Sequence, residues 1–354
     1  NFKFYLMQNY RLTNLSSGGG CGCKIDPKIL KEILRESTDF PVPKELIVGI
    51  NTSDDAAVYK LNDEVAIVAT TDFFTPIVDN PQHFGEISAT NSISDVYAMG
   101  AKPIFALAIV GMPVSEIPVK EIRKILNGGK KICSKVGIPV VGGHSIDSVE
   151  PIYGLVVIGI INPENIKKNS DAKVGHKLIL GKPLGMGIYS SALKNKSLKG
   201  NHYKTMIKNA TKVNDIGYDL STLKEISAIT DITGFGLAGH AWEMASGCQN
   251  DVKITWSKVP ILPGVKELAK KGFVTGASAR NKRSLEGKIK FSRNISEHDT
   301  SLMYDPQTSG GLLVAVEPKS VERVLKMFKK KSYTASEIGE VVNRRKNKCY
   351  VYFE

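Results

Sequence analysis

The chain has 354 residues, 42% hydrophobic and 23% charged, a balance that excludes a disordered or fibrous protein and suits two globular domains. No run of about 18 apolar residues occurs, so we expect no membrane-spanning helix. The five cysteines are odd in number and mostly scattered, which argues against a disulfide framework and predicts a reducing compartment, the cytoplasm. Much of the net charge of +13 lies late in the chain, and without a nucleic-acid-binding motif we interpret it as a solvated surface.

The predicted elements start after a glycine-rich polar segment, residues 1–45, which contains one predicted helix at 27–36. Strands are predicted at 46–50, 56–61, 65–70, 104–110, 138–141 and 152–161, with helices at 83–99 and 119–136. The polar segment 162–175 is the best domain boundary. Further strands are predicted at 177–180, 252–256, 312–316 and 350–353, with helices within 187–225 and at 234–245.

Strands and helices mix in both halves without the regular alternation of a dinucleotide-binding sheet. We therefore predict an α+β fold. Its parts are a flexible N-terminal segment at 1–45, a first domain at 46–165 and a second domain at 166–354.

The most distinctive segment, residues 18–24, reads Gly-Gly-Gly-Cys-Gly-Cys-Lys. Its glycines leave the backbone with little conformational preference, so we predict a mobile loop that closes over a ligand. Cys21 is a soft nucleophile and Lys24 a nearby cation, which favours a reactive, accessible thiol acting on an anionic substrate. A structural zinc site is a weaker interpretation, because no second Cys or His pair stands at a suitable spacing.

Acidic residues recur at the ends of apolar segments, where a buried charge is costly unless it is used. The set comprises Asp54, Asp55, Asp72, Asp95 and Asp231. Carboxylates with few histidines nearby suit Mg²⁺, which commonly bridges them to substrate phosphates. Taken singly, each aspartate also suits a helix cap or a turn.

Asn91 and three further segments carry polar or glycine residues at positions that suit anion binding or turns. Asn91 lies one helical turn before Asp95 and projects from the same face. Residues 142–145, Gly-Gly-His-Ser, are predicted to follow a strand, where glycines let backbone N–H groups approach a phosphate; an ordinary tight turn is the alternative. Residues 231–236 have the same character, whereas a structural role is expected for the turn-rich residues 305–311.

Together these segments resemble selenophosphate synthetase, the selenide, water dikinase family, over nearly the whole chain. The motifs are Gly-Cys-Gly-Cys-Lys-Ile at 20–25, Asp-Asp-Ala-Ala-Val-Tyr at 54–59, Thr-Thr-Asp-Phe-Phe at 70–74, Ala-Thr-Asn with Ser-Asp within 89–95, Gly-Gly-His-Ser-Ile-Asp at 142–147, Thr-Asp-Ile-Thr-Gly-Phe-Gly at 230–236 and Asp-Pro-Gln-Thr-Ser-Gly-Gly at 305–311.

The resemblance implies a two-domain fold like that of aminoimidazole ribonucleotide synthetase, with mixed sheets flanked by helices. It also implies a homodimer whose N-terminal domains pair into a β-barrel. The implied reaction converts ATP, hydrogen selenide and water into selenophosphate, AMP and phosphate, with Mg²⁺ as cofactor and ATP as substrate.

The resemblance also implies residue roles, carried over by position. Cys21 and Lys24 are the implied catalytic residues. The implied magnesium ligands are Asp55, Asp95 and Asp231. The implied nucleotide contacts are Lys24, Thr52, Ser53, Asp54, Asp72, Asn91, Asp95, Gly143, His144 and Ser145, with residues 143–145 reaching the ATP of the partner subunit. One departure is Ser17, which stands where some relatives have histidine.

Two other classes of protein remain as alternatives. Other ATP-dependent enzymes of the same fold, such as thiamine-monophosphate kinase, would share the aspartates but have no use for the cysteine–lysine loop. A basic RNA-binding protein would bind through the late lysine cluster in a salt-sensitive way. We expect ATP and selenide as ligands, and neither a membrane nor a nucleic acid as partner.

Overall fold

The structure is a computed structural model that describes residues 11–25, 29, 32–33, 42–49 and 54–354. Most of the predicted helix at 27–36 lies outside the described residues, and so do Thr52 and Ser53. None of the helices in the described part of the chain combines the length and hydrophobicity that crossing a bilayer requires.

The first half of the described chain forms a mixed sheet. Its strands are β1 (Leu46–Val48), β2 (Ala57–Lys60), β3 (Ala66–Phe74), β4 (Lys102–Met112), β5 (Val140–Asp147) and β6 (Ile152–Ile161). They lie side by side in the order β1-β2-β3-β6-β4-β5, and only the β4–β5 pair is parallel. Strand β5 is thus an edge strand, and all of its residues after the first are exposed.

The second half forms another mixed sheet. Its strands are β7 (Lys177–Leu180), β8 (Ile226–Asp231), β9 (Asp251–Ile254), β10 (Ile289–Phe291), β11 (Leu312–Val316), β12 (Ser336–Val342) and β13 (Val351–Phe353). Their order in the sheet is β10-β13-β9-β12-β7-β11-β8. Strand β11, next to the edge strand β8, is fully buried and pairs antiparallel with β7 on one side and β8 on the other.

Helices pack against both sheets. They are α1 (Pro81–Ala98), α2 (Val119–Lys135), α3 (Met186–Lys194), α4 (Gly200–Ala210), α5 (Ile216–Ser221), α6 (Gly236–Gly247), α7 (Val265–Lys270), α8 (Gly276–Ser284), α9 (Glu297–Met303) and α10 (Val321–Lys330). Two mixed sheets flanked by helices are the α+β architecture that the sequence predicts.

Helix α1 connects the two halves. It begins at Asn80, whose side chain accepts a hydrogen bond from the backbone N–H of His83 at 3.0 Å, and Pro81 fits its first turn. It is buried on nearly all sides because it packs against β3 and β6 of the first sheet and also contacts β8 of the second. Polar side chains on α1 can therefore reach both halves.

Two predicted boundaries are wrong in ways that matter for function. Strand β3 continues to Phe74, so Asp72 lies inside the strand, on its buried face, and does not end it. Residues 142–145 lie within β5 and do not follow it. A Cβ on Gly143 would lie 2.0 Å from the carbonyl oxygen of Ala108, so close pairing with β4 requires glycine there.

Candidate active site

An open cleft of about 270 Å³ lies where β3, α1 and the end of β8 meet. We call it the carboxylate cleft, because its lining includes Asp54, Asp55, Asp72, Asp95 and Asp231, together with Lys24, Thr233, His240 and Glu243. The five aspartates come from both halves of the chain. The structure thus brings them together, as the magnesium hypothesis requires.

Desolvation in the cleft disfavours the charged carboxylates. It is the largest cause that raises the pKa of Asp55, Asp95 and Asp231, and in each case a neighbouring aspartate raises the pKa further. Carboxylates so close together repel one another strongly without a cation between them. The cleft is therefore electrostatically strained when it contains neither metal nor ligand.

Hydroxyl groups orient the same three carboxylates. Thr230 donates a hydrogen bond to Asp55 at 3.0 Å, and Thr70 donates to Asp95 at 2.6 Å. Ser94 donates to Asp231 in the same way. Each carboxylate thus has a neutral donor that sets its direction without neutralising its charge.

The donor chemistry of the cleft suits a hard divalent cation. Among the described residues, the buried Oδ2 of Asp55 has no hydrogen-bond partner, which leaves a carboxylate oxygen available to a ligand. No three His, Cys, Asp or Glu side chains in the described ranges are close enough to hold a metal ion by themselves. A cation here would complete its shell with oxygen atoms from a bound substrate, which is typical of Mg²⁺.

Asn91 links the cleft to the cysteine. Its amide nitrogen donates to Asp72 at 2.5 Å. Its amide oxygen lies 3.2 Å from the sulfur of Cys21 and accepts a bond from the backbone N–H of Ser309 at 2.7 Å. One buried side chain therefore connects β3, the glycine segment and residues 305–311.

The glycine segment, residues 18–24, packs against the rest of the protein. Gly20 adopts a φ of +56°, and a Cβ there would lie 2.3 Å from the hydroxyl of Thr308. The same hydroxyl accepts a bond from the backbone N–H of Cys21 at 3.3 Å. The structure therefore shows the predicted loop in a closed, packed arrangement that only glycine permits at position 20.

The expectation of an accessible thiol is wrong for this arrangement. Cys21 is 1% exposed. Burial, followed by the negative charge of Asp72, raises the pKa of Cys21 well above the ordinary value of a thiol, and the opposing effect of Lys24 is smaller. The cysteine is therefore a protonated thiol at neutral pH, and its activation needs a change in its surroundings.

Lys24 faces the carboxylate cleft. Its ammonium nitrogen lies 3.8 Å from Oδ2 of Asp72, and this carboxylate is the main reason why the pKa of Lys24 is raised. The side chain is still 39% exposed, so solvent screens the pair and its contribution to stability is small. Lys24 is thus a permanent cation at the mouth of the cleft.

The structure does not bring every predicted site residue together. Gly143, His144 and Ser145 lie on β5, which β4 and β6 separate from β3, and they do not line the carboxylate cleft of their own chain. Conversely, Thr308 and Ser309 reach Cys21 and Asn91, although the sequence predicts only a structural role for their segment. Asp305 of that segment fits the prediction, because it accepts a bond from the backbone of Gly187.

Comparisons with known proteins agree with this architecture. Residues 53–161 match the family described as AIR synthase related protein, N-terminal domain, and residues 173–352 match the corresponding C-terminal domain. The chain is 52% identical to a selenide, water dikinase from Dechloromonas aromatica, over 94% of this chain and 96% of that protein. It is 54% identical to a selenide, water dikinase from Pseudomonas straminea, over 90% and 89% of the two chains.

The chain belongs to the selenide, water dikinase family. The predictions of the family, of the enzyme class and of the two-domain α+β fold are thereby confirmed. Among solved structures, thiamine-monophosphate kinase from Stenotrophomonas maltophilia superposes with a TM-score of 0.63 at 14% identity, covering 93% of this chain and 96% of that one. The HypE–HypF complex gives a TM-score of 0.65 at 19% identity, covering 92% and 96%. These likenesses extend the fold beyond the dikinase family.

Proposed function

We propose that this selenide, water dikinase family member transfers the γ-phosphoryl group of ATP to hydrogen selenide. The bond between the γ-phosphorus and the bridging oxygen breaks, and a phosphorus–selenium bond forms. Water then hydrolyses the resulting ADP in the same cleft, so that the products are selenophosphate, AMP and phosphate. The observation that carries the proposal is the contact of Asn91 with both Cys21 and Asp72, which seats a thiol-bearing segment against a carboxylate cleft.

The carboxylate cleft suits a metal-bound triphosphate. ATP carries about four negative charges and would be repelled by the aspartates unless cations lay between them. Asp55, Asp95 and Asp231 would hold the Mg²⁺ jointly with oxygen atoms of the triphosphate, and their raised pKa values are those of a cluster that favours a positive partner. Mg²⁺ supplies neutralisation of the charge on the transferred phosphoryl group when it is bound.

The glycine segment supplies the remaining functions. Lys24 lies beside the cleft as a cation that offsets phosphate charge. Cys21 handles the selenium, and the packed segment around it excludes water, which would otherwise compete for the phosphoryl group. Thr52, Ser53, Asp54, Asp72 and Asn91 are proposed nucleotide contacts.

The exposed edge strand β5 supports a homodimer as part of this proposal. Gly143, His144 and Ser145 cannot serve the cleft of their own chain, but pairing of the N-terminal domains would carry them to that of a partner subunit. A long unpaired edge is also a surface that proteins usually cover. We further propose a cytoplasmic location, because all five cysteines are free thiols.

The decisive experiment is anaerobic incubation of the protein with ATP, Mg²⁺ and selenide. We expect AMP and a new phosphorus resonance to appear together. Omitting selenide, or replacing Cys21 by Ser, should slow AMP formation strongly. AMP formation at an unchanged rate without selenide would contradict the proposal, and so would full selenide-dependent activity of Cys21→Ser.

A further inference from the structure

A second cavity, of about 260 Å³, borders the glycine segment and shares no lining residue with the carboxylate cleft. We call it the outer cavity. The segment contributes Gly18, Gly19 and Gly22 to its wall, and helices α3 and α8 contribute Lys194 and Arg280. The proposed chemistry assigns no role to this space.

The charges of the two spaces are opposite. Lys194 and Arg280 are the charged side chains among the described residues that line the outer cavity, and both are cations. Within the described ranges, the carboxylate cleft is lined by six acids and one lysine. A small free anion is therefore attracted to the outer cavity and repelled by the cleft.

A third, small space borders both of them. It has a volume of about 10 Å³ and touches Cys21 directly. It shares Gly22 and Arg280 with the outer cavity, and it shares Lys24 and Phe235 with the carboxylate cleft. Cys21 thus lies at the junction of a cationic space and the space proposed for the nucleotide.

Both cations of the outer cavity are held close to the glycine segment. Arg280 donates to the carbonyl oxygen of Gly22 at 2.6 Å, and Lys194 donates to that of Ser16 at 3.1 Å. A guanidinium has five N–H donors, so Arg280 keeps others for a ligand. The groups that would recognise an anion are therefore bonded to the segment that carries the thiol or to a residue just before it.

We propose that the outer cavity is the entrance and capture site for the selenium substrate. Hydrogen selenide is an acid that is largely the monoanion at neutral pH, so Lys194 and Arg280 would concentrate it beside Cys21. This inference rests on the proposed function and gives the two substrates separate entrances. The nucleotide enters through the carboxylate cleft, and the selenium anion approaches from the other side of the junction without passing the aspartates.

The kinetic test compares Arg280→Ala, Lys194→Ala and the double variant with the unaltered protein. We expect KM for selenide to rise roughly 5- to 20-fold in the double variant, more than kcat falls, while KM for ATP stays within about 2-fold, because the cations act on anion capture. Arg280→Lys keeps the positive charge, so its KM for selenide should stay close to that of the unaltered protein. The matched control is Lys282→Ala, which removes an exposed cation from the same helix α8 without touching the outer cavity.

A second measurement does not depend on selenium chemistry. Iodoacetate is an anion and iodoacetamide is its neutral counterpart, and mass spectrometry of the Cys21 peptide gives the rate of alkylation by each. We expect the iodoacetate-to-iodoacetamide rate ratio at Cys21 to fall several-fold in the double variant and to stay unchanged in Lys282→Ala. A purely structural loosening of the segment would raise both rates and leave their ratio unchanged.

The two readouts separate this inference from the proposed function. If the unaltered protein forms no AMP with selenide, the proposed function fails, and the alkylation ratio still tests the entrance. An unchanged selenide KM in the double variant of an active protein overturns the entrance, and so does an unchanged alkylation ratio. An equal rise of KM in Lys282→Ala also overturns it, because the effect would then come from net charge alone.

Discussion

The sulfur of Cys21 lies 3.2 Å from the amide oxygen of Asn91, although 70 positions separate the two residues in the chain. The amide nitrogen of the same side chain is bonded to Asp72. Asn91 therefore holds the thiol and the carboxylate cleft in a fixed relation. This relation leads to the first prediction.

Replacing Asn91 by Ala should impair both stability and activity. The change leaves Asp72 and the N–H of Ser309 without their buried partner, at a cost of about 3 kcal/mol in the free energy of unfolding. We expect selenide-dependent AMP formation to fall by about 100-fold, because the thiol segment loses its fixed position. Denaturant unfolding and AMP assays check this, with Asn347→Ala as an exposed amide control. Normal activity of a folded Asn91→Ala variant would contradict the linking role.

The pH dependence of Cys21 alkylation should respond to its charged neighbours. Burial raises the pKa of the thiol most, the charge of Asp72 raises it further, and Lys24 lowers it. Asp72→Asn should therefore move the alkylation profile to lower pH, and Lys24→Met should move it to higher pH. Iodoacetamide rates at the Cys21 peptide provide the measurement, and the exposed Asp63→Asn should leave the profile unchanged. Shifts in the same direction for both variants would refute this electrostatic account.

Removing a cleft carboxylate should stabilise the metal-free protein while it abolishes activity. The raised pKa of Asp55 means that the folded state binds more protons than the unfolded chain, so stability falls as pH rises from about 3.9, the unfolded value, toward the folded pKa. Asp55→Asn removes this pH-dependent loss of stability. We expect a higher thermal midpoint than the parent at pH 7 and little difference below about pH 4, with activity reduced by at least about 100-fold at all Mg²⁺ concentrations.

Asp215 lies outside the cleft, and its carboxylate should have the opposite effect on stability. Partial burial would raise the pKa of Asp215, but hydrogen bonds and charge from Lys331, with a bond from Tyr333, lower it overall. This carboxylate stabilises the fold above the unfolded pKa and loses that effect as pH falls through the folded pKa. Asp215→Asn should therefore lower the midpoint at pH 7. A lower midpoint for Asp55→Asn as well would rule out the proposed strain in the cleft.

Two glycines of the segment should respond differently to alanine. Gly20→Ala places a Cβ against Thr308 and Ile77 at a positive φ, so the seated arrangement of the segment becomes unfavourable. At Gly22 the nearest atoms to a Cβ are the Cβ of Ala277 at 3.4 Å and a carbon of Pro306 at 3.5 Å, which are ordinary contacts. We expect Gly20→Ala to lose activity by about 10-fold or more and Gly22→Ala to retain most of it.

Hydrogen exchange of the segment peptide is the structural readout for this pair. Exchange should become faster in Gly20→Ala and stay near the parental rate in Gly22→Ala, because only the first substitution displaces the segment. Equal activity and equal exchange in the two variants would show that the seated arrangement is irrelevant to the reaction.

The elements that the sequence predicted well are those with strong local patterns. The strands at 152–161, 177–180 and 312–316 match the structure at both ends, because continuous apolar runs between polar boundaries specify them. Strands β8, β10 and β12 were missed. Strand β8 mixes serine, threonine and aspartate with its apolar residues, β10 has only three residues, and β12 contains a glycine and two glutamates.

The same distinction between local pattern and tertiary contact applies to the residues of the site. One helical turn separates Asn91 from Asp95, so local geometry predicted their shared face. Local geometry could not predict that Cys21 is buried, because its cover comes from Thr308, 287 positions away. Nor could it place Gly143 inside β5, where the approach of Ala108 on β4 makes glycine necessary.

The sequence by itself determined the chemical inventory of this protein: the family, the α+β class, a glycine segment with a thiol and a cation, and a set of recurring aspartates. Motif order and residue type are properties of the sequence itself, so they can be determined without knowledge of tertiary contacts. Only the tertiary structure decided that the aspartates share one cleft, that the thiol is buried and protonated, and that a cationic cavity lies beside it. These properties depend on desolvation and charge proximity, which arise only when distant segments pack together.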